Sequence, residues 1–136
     1  MKVLNVYIDG SCRGNGSDDA IGGIGIVIDK VGIPMARIAI RLQNAVTNNE
    51  AEYLALIWAL KFLSNKKDYK INIYSDSQLV VNQYYGMWEV KSAKLWGLYD
   101  EVKTLAYEFR DLTLMWVRRE NNKEANDLAQ NITEQK

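Results

Sequence analysis

The chain has 136 residues, of which 48% are hydrophobic, and 17 Lys+Arg balance 17 Asp+Glu at zero formal charge. These values suit a single domain over residues 1–136 with one core, and they exclude a disordered chain. One cysteine excludes a disulfide framework, and zero histidines exclude His-based zinc sites, Ser-His or Cys-His dyads and imidazole acid–base chemistry.

The opening MKVLNVYIDG is interrupted at Asn5 and Asp9, too short an apolar run for a signal peptide or membrane span, so a cytoplasmic location is the expectation. Residues 2–8 alternate as a strand does, with Leu4, Val6 and Ile8 on one face and Val3, Asn5 and Tyr7 on the other. A turn-rich stretch is expected from Gly10 to Asp19. Two β-rich runs follow, Ile21 to Asp29 and Ile33 to Leu42, joined through Lys30-Val31-Gly32. The pattern then becomes helical from Thr47 to Ser64, with Thr47 or Asn48 as N-cap and Glu50 three residues after Thr47. A strand over 70–75, a short helix over 77–86, a helix over 92–109, a strand over 112–118 with Trp116 in the core, and a helix over 121–132 complete the chain. The order βββαβααβα puts helix crossovers between the late strands and predicts an α/β fold, a mixed five-stranded sheet covered by helices.

The informative residues are acids placed where burial is expensive. Asp9 is expected to end the first strand and Asp76 the fourth, where crevices bind ligands in open α/β sheets. Taken alone, each reads as a turn or N-cap residue. Glu52 shares a helical stripe with Leu56, Ala59 and Leu63, so it faces the sheet, and a buried carboxylate needs a partner or takes up a proton. Arg37 or Arg41 from a neighbouring strand is one candidate partner. A metal ion shared with Asp9 and Asp76 is another, and an all-oxygen donor set selects Mg²⁺ or Mn²⁺ over zinc.

Asp9-Gly10-Ser11, Thr47-Asn48-Asn49-Glu50-Ala51-Glu52, Ser75-Asp76-Ser77 and Asn122-Lys123-Glu124-Ala125-Asn126-Asp127-Leu128-Ala129, in this order and spacing, resemble ribonuclease H of type 1 over nearly the whole chain. The resemblance implies a ribonuclease H-like sheet of strand order 3-2-1-4-5 with helices on both faces. It implies endonucleolytic hydrolysis of the RNA strand of RNA–DNA hybrids, giving 5′-phosphate and 3′-hydroxyl ends, by a monomer with no obligate protein partner. Two Mg²⁺ ions (Mn²⁺ as an alternative) would be held by four carboxylates, of which Asp9, Glu52 and Asp76 match the first three.

The fourth slot holds Asn126 where the family carries aspartate. Ala125, Leu128, Ala129 and Ile132 form an apolar stripe. Asn126 lies roughly 110° from its centre, on the border, while Asp127 lies about 150° away and points to water. Asn126 therefore takes the ligand position, as an Asp→Asn variant or a native departure. An amide brings no charge, so weak cleavage with hybrid binding kept is expected. Two further departures are the histidine missing from the loop Val117 to Asn122, where Arg119 or Glu120 could assist, and the absence of a basic protrusion between Tyr84 and Lys94.

By the same resemblance Asn15, Asn49 and Gln78 read the minor groove, with backbone groups of Ser11, Cys12, Arg13 and Gly14 beside the nucleic acid. Thr47 and Ser92 grip a DNA phosphate, with Arg13 a looser candidate there. Trp88 packs on DNA sugar, supported by Trp96. Asn15 also reads as an Asn-Gly turn, and Asn48 as either a helix cap or a contact to DNA. The alternatives to an impaired nuclease are a non-catalytic RNA–DNA hybrid-binding module and a reverse-transcriptase-type ribonuclease H domain.

Overall fold

The computed structural model describes residues 2–43 and 47–135. Its elements are β1 (Val3–Arg13), β2 (Ile21–Lys30), β3 (Ile33–Leu42), α1 (Asn48–Phe62), β4 (Lys70–Ser75), α2 (Gln78–Tyr84), α3 (Ala93–Tyr107), β5 (Asp111–Trp116), a single 3₁₀ turn (Arg119–Asn121) and α4 (Lys123–Glu134). The sheet runs β3-β2-β1-β4-β5, antiparallel among β1, β2 and β3 and parallel from β1 through β4 to β5. Fold class and strand order are those expected.

β1 is longer than its periodicity suggested. Ser11, Cys12 and Arg13 keep pairing with Gly23, Gly22 and Ile21, so the turn begins only at Gly14, which takes φ 72°. Asp9 is therefore inside a strand and not at its end. The parallel ladder with β4 stops at Ile8 opposite Ser75, which makes Asp9 the first β1 residue beyond its β4 partner.

Leu4, Val6 and Ile8 on β1 share one face with Ile24, Ile26 and Ile28 on β2 and with Ile71 and Ile73 on β4. This face forms the core with Leu56 and Leu60 from α1, Leu63 at its C-cap, and Leu95, Val102 and Phe109 from and beside α3. α4 covers the opposite face over β2, at two glycines. A Cβ on Gly25 would lie 2.0 Å from the Ala125 carbonyl oxygen, and one on Gly23 would lie 2.1 Å from that of Ala129. Gly25→Ala should therefore lower the unfolding free energy by about 1–3 kcal/mol in a urea titration. An unchanged midpoint would mean that α4 does not seat on β2.

Trp116, expected in the core, is 43% exposed, and its indole N–H donates to the Asp76 carbonyl at 3.2 Å. Tyr85, at the C-cap of α2, uses its hydroxyl on the outer edge of β5. It accepts from Leu114 N–H at 2.9 Å and donates to Leu114 O at 2.6 Å. Among the described residues no helix is long and apolar enough to cross a membrane.

Candidate active site

Two-residue alternation builds the first part of the site. Asn5, Tyr7 and Asp9 point to the α4 face of β1, and the register sets Asn72 beside Asn5 and Tyr74 beside Tyr7. These rungs are in contact: Asn72 donates to Asn5 at 3.2 Å, and the Tyr7 and Tyr74 rings stack at 4.7 Å. One step further, past the last ladder rung, the same alternation brings Asp76 beside Asp9. Ser77, rather than Asp76, caps α2 by accepting the Val80 N–H.

Glu52 enters from the other face. α1 starts with Thr47 as N-cap in a capping box with Glu50, and its first turn presses on β1 at Gly10, where a Cβ would lie 2.2 Å from the Ala51 carbonyl. With β4 gone from the ladder, the Gly10 N–H donates to Glu52 Oε1 at 2.6 Å. Arg37 and Arg41 are not its partners. Alternation along β3 turns both to the α4 face, where Arg37 pairs with Asp29 and Glu124 and Arg41 bonds the carbonyls of Ile132 and Gln135.

One ligand atom from each of Asp9, Glu52 and Asp76 lies within 4.8 Å of the others. The charges repel. Burial, and then the Asp76 charge, push the Asp9 carboxyl up to about 7, with the Asn126 hydrogen bond and the Arg119 charge pulling back. Burial, then Asp9 and Asp76, hold Glu52 well above the usual carboxylate range, against the Gly10 N–H. Asp76 Oδ2 is buried with no hydrogen-bond partner among the described residues. Three converging carboxylates, with Asp9 and Glu52 pushed up and Asp76 holding an orphaned oxygen, fit an all-oxygen site for a hard divalent cation.

Asn126 lies where the helical stripe put it, its Nδ2 donating to Asp9 Oδ2 at 2.9 Å, and Asp127 is exposed. A pocket of about 370 Å³ opens beside Asp9 and Glu52, lined also by Ser11, Cys12, Asn48, Arg119 and Gln130. Gln130 was not singled out from sequence, although it follows Asn126 by one helical turn.

A second depression, of about 510 Å³, joins Asn15, Thr47, Asn48, Asn49 and Ser92 with Lys94. Asn15 both sits in its turn and accepts the Asn48 N–H at 2.8 Å, while Asn48 Oδ1 accepts the Cys12 N–H at 3.0 Å. Asn48 thus ties β1 to α1, and the cap is Thr47. Arg13 is not brought to this depression; it pairs with Glu134 at 3.2 Å at the far end of α4. Ser92 caps α3. Gln78, the first residue of α2, is exposed, as are Trp88 at 46% and Trp96 at 52%.

Comparison with known proteins gives a consistent result. The family model described as reverse transcriptase-like matches residues 8–132. A bifunctional protein of Mycobacterium tuberculosis is 35% identical over 129 residues, covering 95% of this chain, which spans only 35% of that relative's length. The ribonuclease H of Cupriavidus metallidurans is 32% identical over 143 residues, covering 95% of this chain and 91% of the relative. Among solved structures, LC11-RNase H1 in complex with an RNA/DNA hybrid superposes with a TM-score of 0.87 at 30% identity, covering 96% of both chains. On its sheet order, its acidic cluster and these relatives, the chain belongs to the ribonuclease H-like family.

Proposed function

We propose that residues 1–136 form a type 1 ribonuclease H, an endonuclease for the RNA strand of RNA–DNA hybrids that acts as a cytoplasmic monomer and is impaired by Asn126. The observation that carries this reading is the convergence of Asp9, Glu52 and Asp76 within 4.8 Å, with the Asn126 amide on Asp9. The hybrid bound to LC11-RNase H1 supports the substrate class.

Asp9, Glu52, Asp76 and Asn126 would hold two Mg²⁺ or Mn²⁺ ions, with Glu52 and Asp76 serving the leaving-group side and Asn126 the side of the attacking water. Bound there, the ions supply the Lewis acidity for phosphodiester hydrolysis. Asn126 contributes an oxygen without charge, leaving three negative charges where four are wanted. Ser11, Cys12, Gly14, Asn15, Asn49 and Gln78 present backbone groups and short polar side chains suited to the 2′-hydroxyls that distinguish RNA from DNA. Thr47, Asn48 and Ser92 line the depression for a DNA phosphate, and exposed Trp88 and Trp96 offer flat surfaces for sugar.

Fluorescence anisotropy with Mg²⁺ present should show the hybrid bound about 10-fold or more tighter than duplex DNA or duplex RNA, the affinity falling steeply as salt rises. Equal affinity for all three duplexes would overturn the substrate assignment. Asn126 also favours a second reading, a hybrid-binding module without catalysis. Cleavage by an Asn126→Asp variant separates the two.

A further inference from the structure

Asn122 lies outside the acidic cluster, yet it is only 2% exposed, and its Nδ2 donates to Ile8 O at 2.8 Å across 114 residues of sequence. Its backbone carbonyl accepts the Asn126 N–H at 3.0 Å. Asn126 Nδ2 donates in turn to Asp9 Oδ2 at 2.9 Å, and Asp9 follows Ile8 in the chain. These three hydrogen bonds close a ring through one peptide of β1 and one turn of α4. A ring of this kind restrains both the rotation of the helix about its axis and its shift along the strand.

The helix does not need this side chain as a cap. Asn122 makes no side-chain capping bond, and its Oδ1 is buried without a partner among the described residues. A capping asparagine turns its oxygen to the first helical N–H groups. An acceptor left unbonded in the interior is unfavourable. The side chain keeps that disadvantage together with its donor bond to the peptide preceding Asp9.

We infer that Asn122 is a positioning residue, setting the separation between Asp9 on β1 and residue 126 on α4 and thereby the strength with which that pair holds a divalent ion. This rests on the metal-site reading given above.

The test uses Asn122→Ala and the isosteric Asn122→Asp, which removes the donor. Each is made in the unaltered chain and in an Asn126→Asp background. In that background Mn²⁺ affinity by calorimetry should fall about 10-fold or more, as for residues that orient metal ligands. The kcat should fall about 10–100-fold with KM for the hybrid within about twofold, and excess Mn²⁺ should restore most of it. In the unaltered chain, the Asn126 side-chain NH₂ resonances should move toward free-amide positions and exchange faster in both variants. Melting temperatures that fall while Mn²⁺ affinity, kcat and the Asn126 resonances stay unchanged would overturn the inference. Should Asn122→Ala fail to fold, Asn122→Asp and the NMR readout carry the test. Failure of the underlying reading looks different: Asn126→Asp alone would then show no Mg²⁺-dependent cleavage, while the Asn126 resonances would still report the ring.

Discussion

Asn126→Asp should raise Mg²⁺-dependent cleavage of the RNA strand by about 10²–10³-fold, the scale on which one well-placed electrostatic group acts in a transition state. Asn126 is already in contact with Asp9, so the substitution adds charge without moving the helix. A labelled hybrid incubated with each protein at saturating Mg²⁺ measures the gain. Equal rates would remove position 126 from the ligand set. The same change has an opposite consequence for the metal-free protein. It replaces an N–H donor to Asp9 with a fourth carboxylate, and stability in EDTA should fall by about 1–3 kcal/mol. Mg²⁺ should recover that loss, because binding to the folded state alone stabilises it.

Asp9→Asn should abolish cleavage and stabilise the metal-free protein at alkaline pH. The Asp9 carboxyl is held at about 7 against an ordinary 3.8. The folded state thus keeps a proton that the unfolded chain releases, so Asp9's contribution is fully present below about pH 4 and is lost as pH rises through about 7. Three pH units of displacement correspond to about 4 kcal/mol as an upper limit, and about 2–4 kcal/mol is expected in practice. Urea unfolding in EDTA should find the two proteins within about 1 kcal/mol at pH 4.5, with Asp9→Asn ahead at pH 8. Comparing the pair reads Asp9 together with the part of the Glu52 shift that the Asp9 charge causes. A difference that does not grow with pH would show that Asp9 ionises freely in the folded chain.

The order of the elements was legible because it rests on local periodicity, whereas the strand order 3-2-1-4-5 and the choice of four site residues came from the resemblance to ribonuclease H. Alternation placed Asp9 opposite the core face of β1, the α1 stripe turned Glu52 inward, and the α4 stripe set Asn126 on its border while sending Asp127 to water. What sequence missed depends on contacts between distant segments. The extension of β1 to Arg13 is imposed by pairing with β2 and overrides the turn-forming composition of that stretch. Trp116 reads as core by type and is nonetheless 43% exposed, an outcome no local pattern encodes. Glu52 had two candidate partners in the sequence, and only the facing of β3 removed the arginines. Asn122 stood in the last motif with no role assigned to it, and its bond to Ile8 spans 114 residues of sequence.

The phenol of Tyr85 has a consequence for self-association. A terminal strand normally offers a row of free peptide groups to any other extended chain, but here both main-chain groups of Leu114 are already taken by one hydroxyl. Addition of a foreign strand in register along β5 would have to displace that side chain. At the opposite boundary of the sheet, β3 is guarded differently, by Pro34, which has no N–H to offer, and by the Arg37 guanidinium on the Ala36 carbonyl.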